Sequence, residues 1–398
     1  MRFLRLASTR RLVAVLAAVA AIAAGATAIA IAATGAGPTP PPKPLPEAVH
    51  DALAAAPVEG VTARIDFTNG LIDASSLRGQ GNALLSGATG RLWAAPDGRF
   101  RLELQSDAGD GQIVVGKDSF HVYDASSNTV YEGALPQQDQ GSADNGVPTV
   151  AKIQDTINKL SEHWTVSGAE PGTIAGRAAY TVRLTPRHDG GLLGAGELGW
   201  DAATGVPLRA AIYAQGQSGP TLELKATDVK YGPVDAATLD VPAPAGAKVT
   251  HVDTSSDKQG GGAGAKEPAP TTGVADVQAK LPFKLSAPDT LAGLPRKDVQ
   301  LVHIGDTPTA LVTYGEGLGG IAVLESATPK DATQGGGGPQ AGGPLGGLEL
   351  PKLSINGATG SELATALGTI LRFDRDGVSY AVAGSVPAPA AEAAARGL

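Results

Sequence analysis

The sequence contains no cysteine, and this absence excludes disulfide bonds, thiolate catalysis, cysteine-ligated zinc and a lipid-modified N-terminal cysteine. Aromatic residues are scarce at 4%, although hydrophobic residues make up 42% of the chain, so alanine supplies much of the apolar content. The formal net charge is −8. Because an acidic protein repels phosphate backbones, this charge argues against nucleic acid as a partner.

Sequence motifs for catalysis and metal binding are missing as well. The six histidines are scattered without the spacing of a zinc-binding helix, and no G-x-S-x-G elbow occurs. The Gly-rich stretches at 260–266 and 315–320 match neither a phosphate loop nor a dinucleotide fingerprint. Residues 107–111 (DAGDG) lack the ligand series of a calcium loop and fit a hairpin turn. We therefore predict no enzyme, no catalytic residue, no metal and no cofactor.

The N-terminal segment has the features of a membrane anchor. Residues 12–33 carry no charge, and four arginines precede them. Such a run is long enough to cross a hydrocarbon core of roughly 30 Å, with the basic end in the cytoplasm. We predict a cytoplasmic basic tail at 1–11, a transmembrane anchor at 12–34 and a Pro-rich spacer at 35–45. The alternative is a cleaved signal peptide, which would make the protein secreted.

Residues 46–250 are dominated by alternating apolar and polar side chains. In 99–105, Phe100, Leu102 and Leu104 share one face and the charged residues share the other, which is typical of a half-buried antiparallel strand. The same pattern places Val61, Ala63, Ile65 and Phe67 together. Further strands are predicted at 81–85, 91–94, 112–115, 120–124, 178–185, 197–201, 208–214 and 221–231. Helices are predicted at 45–56 and 149–164, with Thr149 as the N-cap of the second.

A second domain is predicted at 273–398, after a flexible linker at 251–272 that is rich in Gly, Pro and Lys. Its strands are predicted at 299–304, 310–314, 321–325, 369–374 and 378–383. Asp376-Gly377 indicates a tight hairpin between the last two, and 387–397 reads as a terminal Ala-rich helix. A Gly-rich insertion at 331–347 interrupts the domain.

The order of these segments resembles that of the LolA/LppX/RseB-like lipoprotein-carrier superfamily. The likeness covers about 46–250 and rests on GRLWAAPDGRFRLEL, QIVVGKDSFHVYD and NTVY in the first half, and on IAGRAAYTVRLTP, ELGWDAATGVPLRAAIY and LKATDVKYGPVDAATLDVPAPAGAKV in the second. The C-terminal part resembles the small C-terminal module of RseB/MucB through LPFKLSAPDTLAGLP, TALVTYGEGLGGIAVLE and ILRFDRDGVSYAVAG. The Gly-rich insertion departs from that module.

This resemblance implies an α+β fold in which a curved antiparallel half-barrel sheet is covered by helices, followed by a second small α+β domain. Together with the anchor predicted from the N-terminal segment, it implies a membrane-anchored extracytoplasmic protein that holds a lipid, acyl chain or lipoprotein in an apolar cavity. The alternative it implies is an RseB-like envelope-stress regulator that binds a single-pass membrane anti-sigma partner.

The candidate ligand-binding residues are apolar side chains of the predicted strands, namely Ile65, Phe67, Trp93, Phe100, Leu102, Leu104, Phe120 and Val122. The competing interpretation is an ordinary hydrophobic core beneath the helices at 45–56 and 149–164. Trp93 is ambiguous because Leu92 competes with it for the inner face. Arg99 and Arg101 are expected on the solvated face.

Overall fold

The computed structural model of the chain describes residues 38–72, 83–135, 147–187, 191–252, 271–304, 307–328 and 350–398. The predicted tail and anchor, most of the linker and the insertion at 331–347 lie outside these residues. In the described ranges, no helix is both long and apolar enough to cross a membrane. Two β-sheets account for most of the structure, one of 13 strands and one of eight.

The first sheet is formed by residues 61–251 and is antiparallel apart from its last strand. Its order is β13-β6-β5-β4-β3-β2-β1-β12-β11-β10-β9-β7, with β8 also paired to β9. The strands are β1 Val61–Asn69, β2 Ala88–Ala94, β3 Phe100–Ser106, β4 Gly109–Val115, β5 Ser119–Asp124, β6 Thr129–Ala134, β7 Trp164–Val166, β8 Glu170–Ile174, β9 Arg177–Pro186, β10 Leu193–Asp201, β11 Pro207–Ala214, β12 Leu222–Tyr231 and β13 Lys248–His251. β13 runs parallel to β6.

The period-two pattern places alternate side chains of β1 on opposite faces of the sheet, as predicted. Val61, Ala63 and Ile65 are buried on one face of β1, while Arg64 and Asp66 are exposed on the other. Gly60 sits at the entry to this strand, where a Cβ would lie 2.7 Å from the Gly232 carbonyl oxygen. A one-residue slip would exchange the two faces, so burial of one face specifies the pairing.

Within the described ranges, six α-helices accompany the sheets: α1 Leu45–Ala54, α2 Ala83–Ser86, α3 Val150–Leu160, α4 Ala236–Leu239, α5 Val274–Gln278 and α6 Ala388–Gly397. Thr149 caps α3 as predicted, because its side chain accepts a hydrogen bond from the Lys152 N–H. α3 ends at Leu160, earlier than predicted, since Trp164 begins β7. The prediction of a strand at 81–85 was wrong, because Ala83–Ser86 forms α2. Four residues are too few for periodicity to distinguish a strand from a helical turn.

The main correction to the predicted fold is the position of the helices over the first sheet. Leu45 and Ala48 of α1 form a core cluster with Tyr180, Val182 and Trp200, and Ile157 of α3 packs against it. Both longer helices therefore cover the β7–β10 end of the sheet rather than β1–β6, which carry the candidate binding residues. The protein is mostly β, with helical cover limited to a small part of the curled sheet.

The second sheet is formed by residues 290–384 in the order β14-β15-β16-β17-β21-β20-β19-β18. Its strands are β14 Thr290–Leu291, β15 Leu294–Ile304, β16 Thr307–Tyr314, β17 Ile321–Ala327, β18 Lys352–Ile355, β19 Ala358–Thr365, β20 Gly368–Arg375 and β21 Val378–Gly384. The predicted hairpin at Asp376-Gly377 is confirmed, with φ values of 52° and 76° at its two residues. α6 packs on β20 and β21 through alanines that are completely buried.

Candidate functional site

The apolar face of β1–β6, called the inner face here, is organised in cross-strand rows. One row joins Ala63, Leu92, Leu102, Ile113, Val122 and Tyr131 from β1 to β6. The next row joins Val61, Ala94, Phe100, Val115, Phe120 and Gly133. Residues that oppose each other on neighbouring strands point to the same side of a sheet. The sheet therefore presents two parallel apolar rows across six strands.

Burial decreases along both rows from β1 towards β6. Val61 and Ala63 on β1, Ala94 on β2 and Leu102 on β3 are buried, whereas Leu92 on β2 is half-buried. Beyond them the inner-face side chains are only half-buried; these are Phe100, Ile113, Val115, Phe120, Val122 and Tyr131, which we call the open strip. The open strip is thus a contiguous apolar surface on strands that the longer helices do not cover.

A third row of the inner face is closed by a helical turn. Ile65, Gly90, Leu104 and Gly111 oppose each other across β1–β4. A Cβ at Gly111 would lie 3.6 Å from the Ala83 Cβ, an ordinary contact distance, so α2 packs directly above this row. Asn69 holds α2 in place by donating from its Nδ2 to the Leu84 carbonyl oxygen at 2.6 Å. Leu104 is consequently 1% exposed.

The eight predicted binding residues fall into three groups. Phe100, Phe120 and Val122 belong to the open strip, and Phe100 also packs against the hydrophobic core. Ile65, Leu102 and Leu104 are buried in the hydrophobic core, with Phe67 half-buried against it. Trp93 lies on the opposite, outer face, where the Arg101 guanidinium carbon is 5.3 Å from the centre of its ring.

The outer-face position of Trp93 follows from its partners. It opposes Thr62 on β1 and Arg101 on β3, whereas its neighbour Leu92 opposes Ala63 and Leu102 on the inner face. Arg101 also donates to the Thr238 carbonyl oxygen of α4 at 3.1 Å. Arg101 lies on the outer face as expected, although its side chain is only 17% exposed and is therefore largely covered. Leu92 rather than Trp93 takes the inner position.

Three members of the open strip were missed by sequence reasoning. Ile113 and Val115 alternate on β4 in the same way as the predicted residues do on β3, so periodicity carried a usable signal for them. Tyr131 enters the strip because it opposes Val122. Phe120 opposes Gly133, where an added Cβ would lie 3.0 Å from the Phe120 ring. This glycine leaves room for the aromatic side chain, a pairing that only the register shows.

The Asp-containing turn of the ELGWDAATGVPL segment has a structural role. Asp201 is buried and accepts hydrogen bonds from the Ala203 N–H at 2.9 Å, the Thr204 N–H at 3.1 Å and the Tyr231 hydroxyl at 2.8 Å. Burial, followed by the charge of Asp201, raises the pKa of Tyr231 well above its ordinary value. The phenol therefore stays protonated and ties β12 to the β10–β11 turn.

Within the described ranges, no group of three or more histidine or acidic residues is arranged to hold a metal ion. His121 lies on the outer face opposite Val114 and Glu132. Its Nε2 is buried without a hydrogen-bond partner, and burial lowers its pKa. No nucleophile or acid–base pair accompanies it among the described hydrogen bonds.

Comparison with solved structures finds several similar chains, of which three follow. The complex of MucA and MucB from Pseudomonas aeruginosa matches at 18% identity, over 88% of this chain and 95% of that chain, with a TM-score of 0.39. An uncharacterised conserved protein from Thermus thermophilus matches at 16% identity, over 52% and 96%, with a TM-score of 0.32. A LolA superfamily protein from Nitrosomonas europaea matches at 11% identity, over 50% and 98%, with a TM-score of 0.22.

Two of these structures are described as MucB and as a LolA superfamily protein, which are the kinds of protein that the sequence resembles. No family model matches the chain, and no curated protein sequence matches it.

Proposed function

We propose that this protein is a membrane-anchored extracytoplasmic binding protein whose open strip receives a hydrophobic ligand, such as the acyl chain of a lipid or lipoprotein. The observation that carries the proposal is the loss of burial along the inner-face rows between β3 and β6. Phe100, Phe120 and Val122 remain half-buried there, beside a core in which Leu102 and Leu104 are closed off.

The physical reason is the free energy of covering apolar surface. Contiguous apolar patches on a soluble face typically mark interaction sites. An acyl chain laid along the strip would gain about 0.8 kcal/mol for each methylene removed from water. Neighbouring strands lie about 4.8 Å apart, so the four strands β3–β6 offer a path of roughly 14 Å. The anchor at 12–34 would hold the site next to the membrane that supplies such chains.

The test is uptake of a dansyl-labelled undecanoic acid by residues 38–398, followed by fluorescence titration. Phe120→Glu and Val122→Glu place a carboxylate in the strip and should each weaken binding at least tenfold, because the charge must be desolvated by the bound chain. Val249→Glu is the matched control, since Val249 is 46% exposed and opposes Val130 on the outer face of the same sheet.

Uptake that Val249→Glu leaves unchanged and Phe120→Glu abolishes supports the proposal. A wild-type protein that takes up no probe contradicts it. Loss of cooperative melting in Phe120→Glu would also contradict it, because it would show that the strip is a closed core.

A second candidate is an RseB-like regulatory protein that binds a single-pass membrane partner. It is favoured by the partial exposure of the strip, since a partly exposed apolar face can be covered by side chains of another protein as well as by lipid. Competition separates the two functions. A partner ectodomain that displaces the fatty acid and loses affinity in Phe120→Glu would identify the strip as a protein-binding surface.

A further inference from the structure

The outer face of β1–β3 contains a polar groove that the proposed acyl-binding function does not use. Its volume is about 500 Å³, and its polar lining comes from Arg64, Asp66, Thr89, Arg91, Glu103 and Gln105. These residues alternate along their strands with Ile65, Leu92 and Leu104 of the inner face. The groove and the open strip therefore lie on opposite sides of one sheet.

Two arginines face each other in this groove. Arg64 of β1 and Arg91 of β2 are directly opposed in the strand register, and both side chains are exposed. Directly opposed residues on antiparallel strands have Cβ atoms about 5 Å apart, and like charges there are destabilising. Within the described part of the chain, neither guanidinium forms an ion pair or a hydrogen bond.

The acidic neighbours do not neutralise this pair by direct contact. Glu103 opposes Arg91, but its carboxylate is ion-paired with Arg101 on its own strand. Asp228 opposes Arg64, and Asp66 lies one row away opposite Lys225. Neither aspartate forms an ion pair among the described residues. The guanidinium groups thus keep their hydrogen-bond donors free.

We propose that Arg64 and Arg91 form a binding site for a phosphate group. Each guanidinium carries a fork of donors that matches the oxygens of phosphate, and two forks provide the charge that a phosphate monoester, at about −1.5 to −2, requires. The bound anion removes the repulsion between the two arginines. Thr89 and Gln105, which oppose each other in the adjacent row, supply further neutral hydrogen-bonding groups.

Asp66 limits the affinity of the site for an anion. Its carboxylate lies on the same face as Arg64, two residues further along β1, and lines the groove. It repels an anion, so removing its charge should strengthen phosphate binding. Opposite responses to the loss of an arginine and the loss of this aspartate would show that the groove binds an anion, and a comparison with succinate tests whether that anion is a phosphate.

The experiment is calorimetric titration of the full chain, in neutral detergent at constant ionic strength, with inorganic phosphate and with glycerol 3-phosphate. Arg64→Gln and Arg91→Gln should each weaken binding on the order of tenfold, since each removes charged hydrogen bonds. Asp66→Asn should tighten it. Lys230→Gln is the matched control. Lys230 on β12 is an exposed cation on the outer face of the sheet, as Arg64 and Arg91 are, but it does not line the groove.

Tighter binding of glycerol 3-phosphate than of inorganic phosphate would identify an esterified headgroup as the source, and the reverse order would identify the free ion. The proposal is overturned if Lys230→Gln weakens binding as much as Arg64→Gln does, or if no heat of binding is measured. Equal binding of succinate would overturn the assignment to phosphate. Because the groove is on the outer face, each of these results is independent of fatty-acid uptake by the open strip.

Discussion

The two sheets are built from the same kind of alternating strands, but they differ in how the apolar face is covered. On the second sheet, the small side chains of Ala391, Ala394 and Ala395 on α6 are completely buried and allow the helix to approach closely. On the first sheet, α1 has three alanines in ten residues where α6 has six. It packs at the β7–β10 end with Trp200 and Tyr180, and β3–β6 keep a partly buried apolar face. Alternation therefore determines which residues share a face, and the covering element determines whether that face is a core or a surface.

The largest contrast is expected from the same substitution in the two sheets. Phe373 on β20 is buried and stacks on Tyr380 with ring centres 4.8 Å apart. Phe373→Ala should lower the free energy of unfolding by about 3–5 kcal/mol, as is usual for a buried phenylalanine. Phe120→Ala in the open strip should cost roughly half as much, because part of that ring already contacts water.

Urea unfolding can follow the sheets separately, since Trp93, Trp164 and Trp200 all lie in the first. Tryptophan fluorescence then reports that sheet, and circular dichroism reports both. Equal losses for the two phenylalanine variants would mean that the open strip is as closed as the second core.

The stability of the second sheet is expected to depend on pH through its buried Glu325 side chain. Glu325 is 0% exposed, and its Oε2 accepts a hydrogen bond from the Ser286 N–H at 2.9 Å while its Oε1 has no partner. Burial raises the pKa of Glu325 to about 7, against the opposing effects of the Ser286 hydrogen bond and the Arg375 charge. The folded state therefore favours the protonated acid. Stability should be highest below the unfolded pKa and should fall, by on the order of 3 kcal/mol at most, as pH rises from about 4.5 to 7.

Glu325→Gln keeps the acceptor for Ser286 and removes the titration. Its free energy of unfolding, measured by circular dichroism between pH 4 and pH 8, should lack the decline seen in the wild type. The tryptophan-detected transition of the first sheet should be the same in both proteins. A wild type whose stability rises over this pH range relative to Glu325→Gln would refute the assignment.

A smaller effect is expected at the closed end of the first sheet. Tyr231→Phe removes the hydroxyl that donates to Asp201 and leaves a buried carboxylate with one partner fewer. The loss should be about 1–3 kcal/mol, since a hydrogen bond to a charged group is removed. Tryptophan-detected urea unfolding measures it, and fatty-acid uptake should not change. A loss of uptake would connect this turn to the binding site.

The smallest effect is expected at Trp93. Its outer-face contact with Arg101 is partly exposed, and such cation–π pairs contribute about 0.5–1 kcal/mol. Trp93→Phe should therefore leave fatty-acid affinity within about twofold of the wild type, a difference of under about 0.5 kcal/mol. A tenfold loss of affinity would place Trp93 on the ligand side of the sheet and contradict the register.

Much of the fold was predictable because short-range patterns carry it. The strands around Val61, Phe100 and Phe120, the Thr149 cap and the hairpin at Asp376-Gly377 all follow from local spacing or turn chemistry. The position of the helical cover could not be predicted from local patterns, since the sequence of α1 does not indicate which strands the helix packs against. The site was predicted only in part, because the positions of the covering elements could not be predicted. Phe100, Phe120 and Val122 share the open strip, but Leu102 and Leu104 belong to the core because α2 and neighbouring strands close over them.

The central claim is that the open strip, and not the helix-covered end, receives an acyl chain. A diazirine-labelled fatty acid, photolysed with residues 38–398 and mapped by peptide mass spectrometry, tests it directly. The account predicts labelling in β3–β6, concentrated around Phe100, Val115, Phe120 and Val122, and its loss in Phe120→Glu. Labelling confined to α1, α3 and the strands beneath them, or labelling that Phe120→Glu leaves unchanged, would contradict it.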